Sequence, residues 1–201
     1  MRTAADLAAD LLPVLPSVPQ PRLDRALIRT AQQLCRSSRC WTVWTDQVTV
    51  DCAGEYDVEL PMHAQVLVVE RMTVDGRSRP MLPFSFARRA PEDLQGAHVV
   101  PGRMTFQTTD GIAKGSEIRF RVVLAPTDNA PGVDEAVFDP HAGVLASGVC
   151  ALLMADPGQP WSNPALAQVY AAQFDAGVAR ARLSAWRGVT DGTPRARMVW
   201  C

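Results

Sequence analysis

Residues 157–183, PGQPWSNPALAQVYAAQFDAGVARARL, hold a chain break, a helix start and a long amphipathic run. Pro157 and Gly158 follow Asp156 and stop whatever helix precedes them. Asn163 is a good N-cap, because its side-chain oxygen accepts one of the orphan N–H groups of a first helical turn. Pro164 suits the position after the cap, where no N–H is needed. Leu166, Tyr170, Phe174, Val178 and Ala181 then recur at nearly four-residue intervals, so one helical face is apolar. The pattern predicts a helix from Pro164 to about Trp186, with Gly188 placed to end it. Trp161, in the loop, is expected to pack across the base of the junction. The best-specified segment of the chain therefore carries packing and no evident catalyst.

Upstream of the break, residues 139–155 form a second helical pattern. Val144, Leu145, Val149, Leu152 and Leu153 are separated by Ala142, Gly143, Ala146, Ser147 and Gly148. Small residues there let a neighbouring helix approach closely. A short loop between two apolar-faced helices makes an antiparallel helical hairpin. A third helix is expected after Pro21, where Leu23, Leu27, Ala31 and Leu34 share a face. Arg22, Arg25, Arg29 and Arg36 occupy the other faces and read as solvated. Before it, Thr3 and Asp6 make a capping-box start for a short helix over residues 3–12. Pro13, Pro16, Pro19 and Pro21 forbid its continuation and suggest an extended arm.

Between Cys40 and about Leu124 the chain reads as strands. WTVWTDQVTV is rich in β-branched and aromatic residues, and EYDVEL, after a turn at Ala53–Gly54, is expected to return beside it. In AQVLVVERMTV, Val66, Val68, Met72 and Val74 share a face, with Glu70 out of pattern. Asp75–Gly76 is a strong hairpin turn. Pro91–Leu94 suits a short helical turn. RMTFQTTDGIAKGSEIRFRVVLAP is predicted to be a hairpin, with Ile118, Phe120, Val122 and Leu124 inward against Glu117, Arg119 and Arg121. The element order predicts an α+β fold: a helical bundle from residues 22–38 and 139–187, with an antiparallel β insertion over 41–124. Residues 1–21 read as an arm or linker and 190–201 as a tail.

The chemistry-bearing residues are dispersed. A net charge of -1 argues against a whole-chain electrostatic clamp on nucleic acid. No apolar run approaches the roughly 20 residues that span a bilayer, and Asp6 and Asp10 interrupt any signal-like stretch. The chain is thus expected to be made in the cytoplasm. Cys35, Cys40, Cys52, Cys150 and Cys201 are odd in number and include no C-x-x-C pair, so they read as reduced thiols. His63, His98 and His141 lack zinc-motif spacing, and no cofactor motif is present. Cys150, His141 and Asp139 are an assembly that chance readily supplies. DGIAKGS lacks the order of a phosphate loop and reads as a turn between strands. Glu92–Asp93 and Asp134–Glu135 read as solvated loop charges. The final residues, TPRARMVWC, end in Met198, Val199 and Trp200 beside Arg195 and Arg197, a composition suited to a docking peptide.

Three segments, ALIRTAQQLCRSSRCWTVW, VERMTVDGR and PGQPWSNPALAQVYAAQFDAGVARAR, stand in an order that resembles the head–tail adaptor (connector) proteins of tailed bacteriophages. The resemblance covers roughly residues 22–187. It implies a non-enzymatic virion protein of the neck, a ring of usually about twelve copies beneath the portal. Such a ring extends the DNA channel without sequence-specific contacts, offers the tail its platform, and needs no cofactor, metal or membrane. In related adaptors a C-terminal segment docks on the portal, which here implies Arg195, Arg197, Met198, Val199 and Trp200. The alternatives from the residues alone are a small cytosolic hydrolase and a monomeric β-rich binding module.

Overall fold

The structure is a computed structural model that describes residues 1–49, 55–57, 59–79, 97–99, 105–108 and 114–189. The turns expected at Ala53–Gly54 and Pro91–Leu94 lie outside these residues, as do Cys52, Cys201 and the tail from residue 190. The chain divides into two compact units. One is helical, Met1–Cys40 with Pro131–Cys201, and the other is the β region, Trp41–Ala130. The α+β architecture, with helices from both ends and a β insertion, is the one the element order predicts.

In the helical unit, helix α1 (Ala8–Leu11) follows a 3-10 turn at Ala4–Leu7 and precedes α2 (Gln20–Ser38), α3 (Glu135–Met154) and α4 (Pro164–Val189). Residues 1–21 are not an extended arm. Leu7, Leu11 and Leu15 are fully buried, and Ala4 N–H donates to Asp24 Oδ1 of α2 at 3.0 Å. The prolines stop a long helix without preventing burial. Pro19 and Pro21 flank the start of α2, so it begins at Gln20, before Pro21. Arg2 pairs with Val133 through two backbone hydrogen bonds of 2.8 Å. That seam passes so close to Gly132 that a Cβ there would lie 2.4 Å from the Arg2 carbonyl oxygen.

Helix α3 starts earlier than expected. Asp134 is its N-cap, accepting from Ala136 N–H at 2.9 Å, so the Asp134–Glu135 pair is not simply a solvated loop. Pro140 lies inside the helix, and His141 departs from helical geometry (φ -127°, ψ 16°), so the axis is kinked there. By length and hydropathy α3 meets the threshold for a membrane span, contrary to the reading of the sequence, though half of it is buried within the structure. Leu145, Val149 and Leu153 face α2 and α4 and are almost wholly buried. The three helices meet at Gly148. A Cβ added there would lie 2.3 Å from Thr30 Cγ2 of α2 and 2.7 Å from Phe174 Cδ2 of α4. Gly177 of α4 accommodates Val144 of α3 in the same way, at 2.6 Å.

The β unit contains two sheets. Strands β1 (Thr42–Trp44) and β2 (Val48–Thr49) both pair with β8 (Glu117–Pro126), which also pairs with β4 (Ala64–Val74), and β4 pairs with β5 (Arg77–Arg79). A second sheet holds β3 (Glu55–Asp57), β7 (Thr105–Thr108) and β6 (Ala97–Val99), in that order. All pairings are antiparallel. Two expected pairings are not seen among the described residues: Glu55–Asp57 does not pair with β1 or β2, and β7 does not pair with β8. Both β1–β2 and β4 take β8 as their partner, which leaves β3 and β7 to pair with each other. The Asp75–Gly76 hairpin does form, with φ of 49° and 75° at the two turn residues.

The predicted apolar face of β4 is also interrupted. Register shifts between Val66 and Val68 and between Val69 and Arg71 insert Leu67 and Glu70 as extra residues. One slip reverses the faces and the second restores them. Met72 and Val74 therefore meet Phe120 and Ile118 in the core, while Val68, between the slips, is exposed. Strand β8 alternates as far as Val122 and is then buried on both faces through Pro126.

Candidate functional site

The helix junction is built by local signals. Asn163 Oδ1 accepts from Leu166 N–H at 3.1 Å and caps α4, and Pro164 is its first residue. Asn163 N–H in turn donates to Met154 O at 3.0 Å, closing the loop onto the end of α3. Trp161 is half-buried beneath Arg22 of α2, whose guanidinium carbon lies 5.4 Å from the ring centroid. Arg22 Nη1 also reaches Asp156 at 3.3 Å. This arginine, read as solvated, thus clamps the junction through a cation–π contact and an ion pair. Phe174 is buried against Gly148, and Tyr170 is half-buried on the same face.

The inner stripe of α4 differs from prediction at one end. Ala167 is buried there, and Leu166 points outward. A small residue faces the seam because α3 and α4 are too close for a leucine. The helix also continues past Gly188 to Val189. On the outer side, Leu166, Val169, Leu183 and Trp186 are 43%, 52%, 59% and 70% exposed. The proposed portal contacts Arg195, Arg197, Met198, Val199 and Trp200 lie outside the described residues.

A second constellation sits at the end of α2, and sequence reasoning missed it. Arg39 takes the left-handed conformation (φ 56°), and its N–H donates to Cys35 O at 2.9 Å. This cap turns the chain back over the last helical turn and brings residue 40 against residue 35. Cys40 N–H donates to Ser38 Oγ at 3.3 Å, and Ser38 Oγ donates in turn to Leu34 O at 2.7 Å. Hydrogen bonding from Cys35 holds the Cys40 thiol below its ordinary range, with help from His141 and Ser38 and against the effect of burial. The Cys35 thiol is pushed up by the same bond to Cys40 and by burial. Cys35 is fully buried and Cys40 half-buried. The signal in the sequence was the five-residue spacing CRSSRC, legible only once the helix end is placed between its cysteines.

The Cys150–His141–Asp139 combination is not assembled. Burial, with a smaller contribution from Asp10, pushes the Cys150 thiol up to about 11. Asp139 pairs instead with Arg2 at 3.3 Å. No group of three His, Cys, Asp or Glu side chains among the described residues converges as a metal-ligand set.

The β unit offers a shallow polar groove of about 400 Å³ lined by Trp44, Gln47, Thr73, Gly76, Glu117 and Arg119. Arg119 lies over the Trp44 ring at 5.8 Å and donates through Nε to Thr45 O at 3.3 Å, while Gln47 donates to Glu117. Comparison with protein-family models finds no family that matches the chain, and comparison with curated proteins finds no match either.

Proposed function

We propose that this chain is a structural virion protein: a head–tail adaptor that binds the portal as a ring, lines the DNA channel and carries the tail. The observation that carries this reading is the outer face of α4. Leu166, Val169, Leu183 and Trp186 leave apolar surface exposed at both ends of a 26-residue helix, which is about 39 Å long. Large apolar side chains left exposed mark a surface that associates. In a ring each copy would set this face against a different face of the next, a heterologous contact that closes on itself. The order of the elements also agrees with the adaptor resemblance, which rests on the same junction.

A net charge of -1 suits a channel through which DNA must slide, since a strongly basic lumen would hold the phosphates. Residues 190–201, with Arg195, Arg197, Met198, Val199 and Trp200, are the segment proposed to dock on the portal. The test is quantitative mass spectrometry of purified virions. A copy number equal to that of the portal protein, on the order of twelve for a closed cyclic ring, supports the reading. Absence of the chain from the particle overturns it.

The groove at Trp44 and Arg119 favours a second reading, a monomeric binding module in which the β unit holds a small polar ligand. That reading requires a chain that stays monomeric at every concentration and binds through Arg119.

A further inference from the structure

The solvent side of α2 carries arginine and no acid. From Arg22 to Arg36 its exposed residues are Arg22, Arg25, Arg29, Gln33 and Arg36, while Leu23, Leu27, Ala31 and Leu34 turn inward. At about 100° per residue, Arg25, Arg29 and Arg36 fall within an arc of about 40° and extend about 16 Å along the axis. Asp24, the one acid of the helix, is half-buried and accepts from Ala4 N–H at 3.0 Å and from Gln20 at 3.1 Å. Arg22 is held by Asp156 and Trp161. Among the described residues, no carboxylate pairs with Arg25, Arg29 or Arg36.

We propose that this face of α2 binds the phosphate backbone of duplex DNA, without reading its sequence, through Arg25, Arg29 and Arg36.

The arginines are not explained by the helix itself. Arg25 and Arg29 are a like-charge pair four residues apart, which works against helix formation. Arg36 stands in the last turn, where the helix dipole favours a cation, but no such reason covers the other two. The kind of partner follows from what the face lacks. No large apolar side chain of α2 is exposed. A protein partner or a membrane surface draws affinity from an apolar centre. A polyanion draws it from counterion release at each phosphate contact, which needs only charge and hydrogen-bond donors. Guanidinium forks match phosphate oxygens two at a time, and Gln33 adds an amide on the same face. A duplex carries one phosphate per about 1.7 Å of its axis, so the row meets several in any register. Contacts of this type let DNA slide, and they sit on one helix of a chain whose net charge is -1. A single copy carries the whole face, so DNA binding stands or falls independently of ring formation.

The test is fluorescence anisotropy of a labelled duplex of about 20 base pairs, titrated with the full chain between about 50 and 200 mM NaCl. The expected dissociation constant at the lowest salt is on the order of 10⁻⁵ M, equal for two unrelated sequences. The logarithm of the association constant should fall with the logarithm of salt concentration at a slope of about -2.7, as three phosphate contacts require. Arg25→Gln with Arg29→Gln should weaken binding at least about tenfold and reduce the slope to about -0.9, with an unchanged melting temperature, since glutamine is nearly as good a helix former as arginine. Arg180→Gln with Arg182→Gln, which removes the same charge from exposed positions of α4, should leave binding unchanged. The proposal is overturned by no binding at about 0.5 mM chain, against the range usual for non-specific contacts. Equal losses from the two double variants also overturn it. So does polyglutamate that displaces the chain as well per charge as duplex does, a result that assigns the face to an acidic protein.

Discussion

On its inner face α4 meets α3 so closely that a methyl group at Gly177 would lie 2.6 Å from Val144, and Gly148 of α3 admits only a hydrogen beside Phe174. On its outer face the same helix leaves Leu183 and Trp186 more than half exposed. Composition does not separate the two faces, since both contain apolar residues. The difference is in the partner. The inner face is specified by shape against atoms already present, so volume cannot change there without strain. The outer face keeps large apolar side chains exposed, Val169 and Leu183 among them. It should tolerate substitution in folding and be sensitive to it in assembly.

Substitutions on the two faces should separate along this line. The largest expected effect is at Phe174, whose ring fills the space beside Gly148. Phe174→Ala should cost about 3–4 kcal/mol, read by chemical denaturation. Gly148→Ala comes next. In an exposed helix this change would stabilise by roughly 1 kcal/mol through backbone entropy. Here the added methyl meets a β-branched Thr30 and a packed ring, neither of which can swing away. A net loss of about 1–3 kcal/mol is expected, and a gain would show that the α3–α4 seam is looser than described. Asn163→Ala should cost about 1 kcal/mol by leaving the Leu166 N–H without its cap. The smallest stability effect, within about 0.5 kcal/mol, is expected for Val169→Asp with Leu183→Asp on the outer face.

The same contrast explains what was legible in the sequence. The junction was legible because its signals are local: Asn163 caps, Pro164 starts and Gly158 takes a positive φ of 77°. The inner stripe was misread at Leu166 because periodicity counts large side chains, whereas a close seam selects small ones such as Ala167, Gly148 and Gly177. In the β unit the turn at Asp75–Gly76 was legible for the same local reason. The partner of each strand was not. β7 and β8 are neighbours in sequence, yet β8 is already shared by β1, β2 and β4. The two slips in β4 leave no trace in its alternation beyond Glu70 standing out of pattern. The burial of Leu15, between Pro13 and Pro16, was not legible because proline constrains local φ and says nothing about burial. The turn that ends α2 was hidden because Arg39 supplies a left-handed cap without glycine.

We propose that the outer face of α4 joins copies of this chain. Sedimentation velocity across a concentration series, for the wild type and for the Val169→Asp, Leu183→Asp variant, tests it most directly. The account predicts that the wild type associates into closed species with rising concentration, while the variant stays monomeric with an unchanged melting temperature. A wild type that remains monomeric throughout, or a variant that associates equally well, would contradict it.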